Sequence, residues 1–137
     1  MAAEPSQGEA SGGVLLPERA QWLSGACLAV RRSAFEHVGG FDDRLFMYGE
    51  DVDLSYRLAP LGRLVHQWRA EFRHDLGPRS WRAQFHQARN QVVLHRRYGF
   101  GPGITGVLRG IGGAVRARNG SLASARLAGV LASVAQR

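Results

Sequence analysis

The sequence predicts a modest α/β unit, with a few strands and flanking helices, followed by a basic amphipathic helical tail. Three observations carry that expectation. Strand-like apolar runs occur at Trp22–Arg31, Arg63–Trp68 and Ala70–His74. Helix-period apolar patterns begin near Gly49 and at Ser80, between and after those runs. Beyond Gly99 the apolar residues recur only at helical spacing, opposite arginines. At 137 residues the chain has room for one domain and not two.

In chain order, Met1 to Gly13 is rich in Ala, Ser, Gly, Glu and Gln without an apolar run, and residues 1–19 read as a disordered lead-in. Without a basic start and a hydrophobic centre it is not a signal peptide. Trp22–Arg31 reads as a buried strand broken at Ser24-Gly25. Ser33 and Glu36 have the spacing of a capping box, for a short helix that stops at Gly39-Gly40. Phe41–Gly49 is an irregular loop. Its Phe41, Leu45, Phe46, Met47 and Tyr48 are unusually apolar, so it should fold over a cleft or a partner layer.

A helix opens at Gly49 or Glu50 and ends near Pro60-Leu61-Gly62. At about 100° of turn per residue, Val52, Leu54, Tyr56, Leu58, Ala59 and Leu61 sweep out an apolar arc, while Glu50, Asp53 and Arg57 share the polar face. Asp51 falls inside the apolar arc. A carboxylate there is costly unless the space needs a negative charge or an acceptor, which singles out Asp51 for chemistry. A long helix follows from Ser80 to about Tyr98, with Arg89-Asn90 on its solvated face. Ile104, Val107, Leu108, Ile111 and Val115 form the next apolar stripe, opposite Arg109, Arg116 and Arg118. Asn119-Gly120 breaks it, and Ser121 caps a second helix carrying Leu127, Val130, Leu131 and Val134. The glycines between Gly103 and Gly113 cost about 1 kcal/mol each relative to Ala. The pair therefore needs an outside surface, either a membrane or a protein body.

The formal charge is +7, and all 18 basic residues are Arg. The last acidic residue is Asp75, so the half of the chain after it should seek polyanions such as phosphate groups or an anionic membrane face. No apolar stretch reaches the ~18 residues of a membrane span. The single Cys27 rules out a disulfide framework or a zinc cluster and suits a reducing compartment. No helix-turn-helix, zinc or aromatic-interleaved basic motif accompanies the charge, so nucleic acid is not the expected partner.

Three runs belong together: Trp22-Leu23-Ser24-Gly25-Ala26-Cys27-Leu28-Ala29-Val30-Arg31-Arg32-Ser33-Ala34-Phe35, then Val38-Gly39-Gly40-Phe41-Asp42, then Phe46-Met47-Tyr48-Gly49-Glu50-Asp51-Val52-Asp53-Leu54. Together they resemble the acceptor half of an inverting family 2 glycosyltransferase of the GT-A (nucleotide-diphospho-sugar transferase) fold, in its rhamnosyl- and galactofuranosyl-transferase-like branch. The resemblance divides the chain into a lead-in at 1–19, the C-terminal half of the transferase domain at 20–99 and the helical tail at 100–137.

The resemblance implies that Asp51 is the catalytic base, taking a proton from an acceptor hydroxyl that attacks the anomeric carbon of a nucleotide-activated sugar. The helix N-terminus there favours a negative charge. It further implies that Glu50, Trp22 and Gly25 contact the acceptor sugar, and that His74, 23 residues beyond Asp51, is a ligand of a diphosphate-chelated divalent metal, Mn2+ or Mg2+. The partners would be a nucleotide-sugar donor and a glycan or lipid-linked acceptor, in cell wall polysaccharide biosynthesis. The place would be the cytoplasm, peripheral to the inner face of the plasma membrane. Nothing before Trp22 supplies a donor-binding half with an Asp-x-Asp loop, so the chain is expected to be a fragment that is inactive alone. A catalytically dead glycan- or partner-binding module is the alternative. Asp51-Val52-Asp53 is not that loop, because two helical side chains two apart diverge by about 200°.

Overall fold

A computed structural model of the chain describes residues 18–67, 69–75, 77 and 80–135. Residues 1–17 of the expected lead-in lie outside them, as do Trp68, Pro78, Arg79 and Arg137. The described residues are mostly helical. The elements are β1 (Glu18–Arg19), α1 (Arg32–His37), α2 (Glu50–Leu58), β2 (Val65–His66), α3 (Trp81–Tyr98), α4 (Gly103–Arg116) and α5 (Gly120–Ala135).

The α/β expectation reduces to one short antiparallel pair, with Glu18 opposite His66 and Arg19 opposite Val65. Of the expected strands, Arg63–Trp68 keeps only β2, while Trp22–Arg31 and Ala70–His74 are not strands. Hydrogen bonding explains the first failure. The amide of Leu23 donates to Ser55 Oγ at 3.0 Å and that of Gly25 to Asp51 Oδ2 at 2.8 Å, both side chains of α2, so this segment is stitched to a helix and not to a neighbouring strand.

The short helix α1 starts one residue before the expected cap. Ser33 lies inside it, and Glu36 accepts from Arg32 Nε at 2.7 Å, so the capping box does not form. Helix α2 runs where its pattern predicts, but it is enclosed nearly all round: Val52, Leu54 and Leu58 are buried, and so are Asp53 and Ser55. The expected polar face thus points inward at Asp53.

Ser80 caps α3 by accepting from Ala83 N at 3.2 Å, and Gly99 ends it with φ +68°. Helix α3 carries a core on each side. Toward the tail, Ala88 and Val92 pack with Val107 of α4 and Val130 of α5, joined by Ile111. Toward α2, Leu94 packs with Leu45 and Val52, joined by Tyr56, Tyr98 and Phe100. The tail helices therefore rest on α3 of the same chain, which is the protein-body alternative. Asn119, not Ser121, caps α5, accepting from Leu122 N at 3.0 Å. Gly129 sets the closeness of the bundle: a Cβ there would lie 2.5 Å from the carbonyl oxygen of Phe85. Gly49 likewise tolerates no side chain, having φ +104° and Leu94 Cδ1 at 2.6 Å from a built Cβ.

Candidate active site

The segment Trp22–Ala26, the loop before α2, the first turn of α2, His74 and the end of α3 with its following loop enclose an open cleft of about 750 Å3. That is within the usual range for small-ligand sites. Asp51, Glu50, Trp22, Gly25 and His74, singled out in the sequence, all line it.

Asp51 is half-buried. Its Oδ2 accepts from Gly25 N and its Oδ1 from Val52 N, both at 2.8 Å, so two amides fix the plane of the carboxylate. It is not an N-cap, because Gly49 holds that position. Gly25 earns its place through this contact: a Cβ on it would sit 3.3 Å from Asp51 Cβ, so a side chain would crowd the carboxylate. Ser55 Oγ donates to the Asp51 carbonyl at 2.7 Å while accepting from Leu23 N, a second stitch between the same two segments. Trp22 is exposed on one side and packs edge-on against Phe100, with ring centroids 6.0 Å apart. An aromatic edge held in this way leaves ring surface for a sugar. His74 is exposed at the rim. Among the described residues no three His, Cys, Asp or Glu side chains gather where they could hold a metal ion.

Glu50 is the strained member of the pair. Its Oε2 is buried without a hydrogen-bond partner. Burial raises its carboxyl above the ordinary value, and the neighbouring Asp51 adds to the rise, while a bond from its own backbone N–H opposes it. A raised carboxyl leaves stability untouched below the unfolded value of about 4.3 and takes it away as pH rises through the folded value. Glu50→Gln should therefore stabilise the chain at pH 7 and change little near pH 4, as read by urea unfolding at both. Equal effects at the two pH values would refute the assignment.

The carboxylates the sequence passed over hold the site together. Asp53 is fully buried. It accepts from Arg57 Nε, Arg97 Nη1 and Tyr98 OH, each at 2.8 Å. Arg97 also reaches Asp42 at 2.7 Å, and Arg57 Nη1 donates to the carbonyls of Val38 and Gly40 at 2.7 Å. The Gly39-Gly40-Phe41-Asp42 run is thus locked onto α2 and α3. Hydrogen bonding from Arg44, and then from Arg97, holds the Asp42 carboxyl well below the usual carboxylate range, against the opposing effect of its partial burial.

Asn90 is buried too, not solvated as the sequence suggested. Its Nδ2 reaches the carbonyls of Leu45, Met47 and Tyr48 at 2.7, 2.8 and 2.9 Å, and its Oδ1 accepts from Arg89 at 2.8 Å. The loop it clamps includes Phe46 and Tyr48 at φ +34° and +64°, conformations that need an external hold. One signal was available: Asn is a poor mid-helix residue unless its amide is bonded, and Asn90 stands four before the core residue Leu94, on its face of the helix.

A half-buried carboxylate pair and an exposed aromatic thus line one open, mainly apolar cleft. No protein-family model matches the chain, and no solved structure does. Stretches of it are similar to curated proteins. One of 43 residues, 31% of this chain, is 70% identical to 14% of N-acetylglucosaminyl-diphospho-decaprenol L-rhamnosyltransferase of Mycobacterium tuberculosis. Another, 43% of this chain, is 40% identical to 6% of O-antigen biosynthesis protein RfbC of Myxococcus xanthus. A third, 33% of this chain, is 47% identical to 17% of Rhamnosyltransferase WbbL of Escherichia coli K12. The matched stretches thus take in less than a fifth of each relative. These likenesses support a glycosyltransferase family for the chain.

Proposed function

We propose that the chain forms the acceptor side of a family 2, GT-A-type transferase that moves a sugar, rhamnose by analogy with the relatives, from a nucleoside-diphosphate donor onto a lipid-linked glycan. Asp51 takes the proton of the acceptor hydroxyl as that oxygen bonds to the anomeric carbon. The bond from that carbon to the donor's diphosphate oxygen breaks on the opposite face, the nucleoside diphosphate leaves with the bonding pair, and the centre inverts. Glu50 and Trp22 hold the acceptor ring, and Gly25 leaves room for the carboxylate. What supports the reading is that five residues named from the sequence, spread from Trp22 to His74, line one cleft.

A lone imidazole is not a cation site. A divalent metal enters the reading only as a companion of the donor diphosphate, with His74 one contributing ligand. The exposed Ile104, Leu108 and Val115 run along α4 beside Arg109 and Arg116, a face suited to an anionic bilayer, where each such Arg contributes about 1 kcal/mol. In this proposal the protein lies peripherally on the inner face of the plasma membrane. No described helix is long and apolar enough to cross it.

The test is an NMR titration of the 15N-labelled chain with methyl N-acetylglucosaminide. Shifts at the Trp22 indole and the Gly25 amide are expected. Saturable shifts confined to residues outside the cleft, or none at all, would remove the acceptor reading.

A further inference from the structure

A second recess, of about 220 Å3, lies where α4 and α5 cross α3. Its wall includes Gln84, Gln91 and Gly106, and the Arg126 side chain. Gln87 and Gln91 line both this recess and the cleft, so the two spaces adjoin along α3. Helix α4 runs past both: Pro102, just before it, borders the cleft, and Gly106 and Val107, one turn on, border the recess.

The chemistry of the recess is anion-seeking. Arg126 is only partly exposed, and among the described residues its guanidinium has no hydrogen-bond or ion-pair partner; the chain holds no acidic residue after Asp75. Gly110 makes the room for it, since a Cβ there would stand 2.4 Å from Arg126 Nη1. Gln84 Oε1 is buried with no partner. Its amide can turn over to present an N–H2 instead. A planar guanidinium fork beside carboxamide donors is the arrangement that grips phosphate oxygens from two sides.

We propose that this recess binds the diphosphate of the lipid-linked acceptor whose sugar occupies the cleft, an inference that rests on the acceptor reading above. The sugar in the cleft and the diphosphate in the recess would then adjoin along α3, whose Gln87 and Gln91 line both spaces. Arg126 acts as a binding residue for the anionic link and takes no part in the proton transfer.

The test is the same 15N titration with four probes: methyl N-acetylglucosaminide, inorganic pyrophosphate, thymidine diphosphate, and N-acetylglucosaminyl diphosphate esterified with farnesol. The farnesyl compound should bind at least tenfold more tightly than the methyl glycoside and should move the Arg126 Nε–H and the Gln91 side-chain amide. Arg126→Gln should erase the tenfold advantage. Gly110→Ala, which keeps the charge but displaces the guanidinium, should do the same, and Arg126→Lys should retain part of it. An advantage that survives in both Arg126→Gln and Gly110→Ala overturns the proposal. So does a result in which thymidine diphosphate moves Arg126 and the farnesyl compound does not, since the recess would then serve the donor. If pyrophosphate moves Arg126 while the methyl glycoside leaves Trp22 and Gly25 unmoved, the recess stands as a diphosphate site and the sugar cleft fails. If no probe moves either set, both fail.

Discussion

Asp51→Asn should lower sugar transfer by about 10²–10⁴-fold, the usual contribution of a positioned general base. The exchange is nearly isosteric, and the amide oxygen can still accept from Gly25 N, so the cleft should keep its shape. The new N–H2 cannot accept a proton, and it would meet the Val52 N–H donor, which now bonds Oδ1 at 2.8 Å. Binding and chemistry should separate. The affinity for the acceptor glycoside should stay within about twofold, well inside the 1.4 kcal/mol that marks a tenfold change, while the rate collapses. The measurement is rhamnosyl transfer to a prenyl-diphospho-N-acetylglucosamine by the polypeptide that carries this sequence, with the NMR titration as the binding control. A variant with a near-normal rate would end the base assignment. Loss of rate together with loss of acceptor binding would make Asp51 a binding residue only.

Asp53→Ala should destabilise the fold by about 3–5 kcal/mol, the cost of removing one partner from a buried ionic cluster. The deletion takes an acceptor from Arg57, Arg97 and the Tyr98 hydroxyl at once, leaving Arg97 only Asp42 and Arg57 only the carbonyls of Val38 and Gly40 that it holds. Loss should appear in the urea midpoint. It should also appear as faster amide exchange in Gly39–Asp42, which α2 would no longer hold. Asp53→Asn should fall between, because it keeps an acceptor for Arg97 or Tyr98 but gives up the charge. A change below about 1 kcal/mol for the alanine variant, typical of exposed pairs, would mean that the cluster is open to water and that the loop is held by other contacts.

The two carboxylates of the Asp51-Val52-Asp53 run thus divide the labour. Asp51 looks into the cleft and Asp53 into the protein. Helical periodicity placed them on different faces, but it assigned the enclosed one to the wrong residue. The apolar arc of α2 counts only the helix's own side chains, whereas Asp53 is buried because Arg97 and Tyr98 arrive from α3, more than forty positions later. The same limit hid Asn90, whose partners are backbone carbonyls of a distant loop. It also misread Trp22–Arg31 as a strand. Apolar content announces burial, but a ladder needs a neighbouring strand to exchange hydrogen bonds, and here the neighbour is a helix that offers side-chain acceptors.

From its residues alone this protein declared the positions of its helices, its glycine stops, and the carboxylate, aromatic, glycine and imidazole that share a cleft. Those features are local: period, turn chemistry and a short motif suffice to write them. Only the packed structure decided that the tail lies on α3, that the lock runs through Asp42, Asp53, Arg57 and Arg97, and that Arg126 lines a recess adjoining the cleft. Each of these depends on which groups meet across long stretches of chain. Such meetings are set by the burial of whole helix faces against one another, which no window of sequence contains.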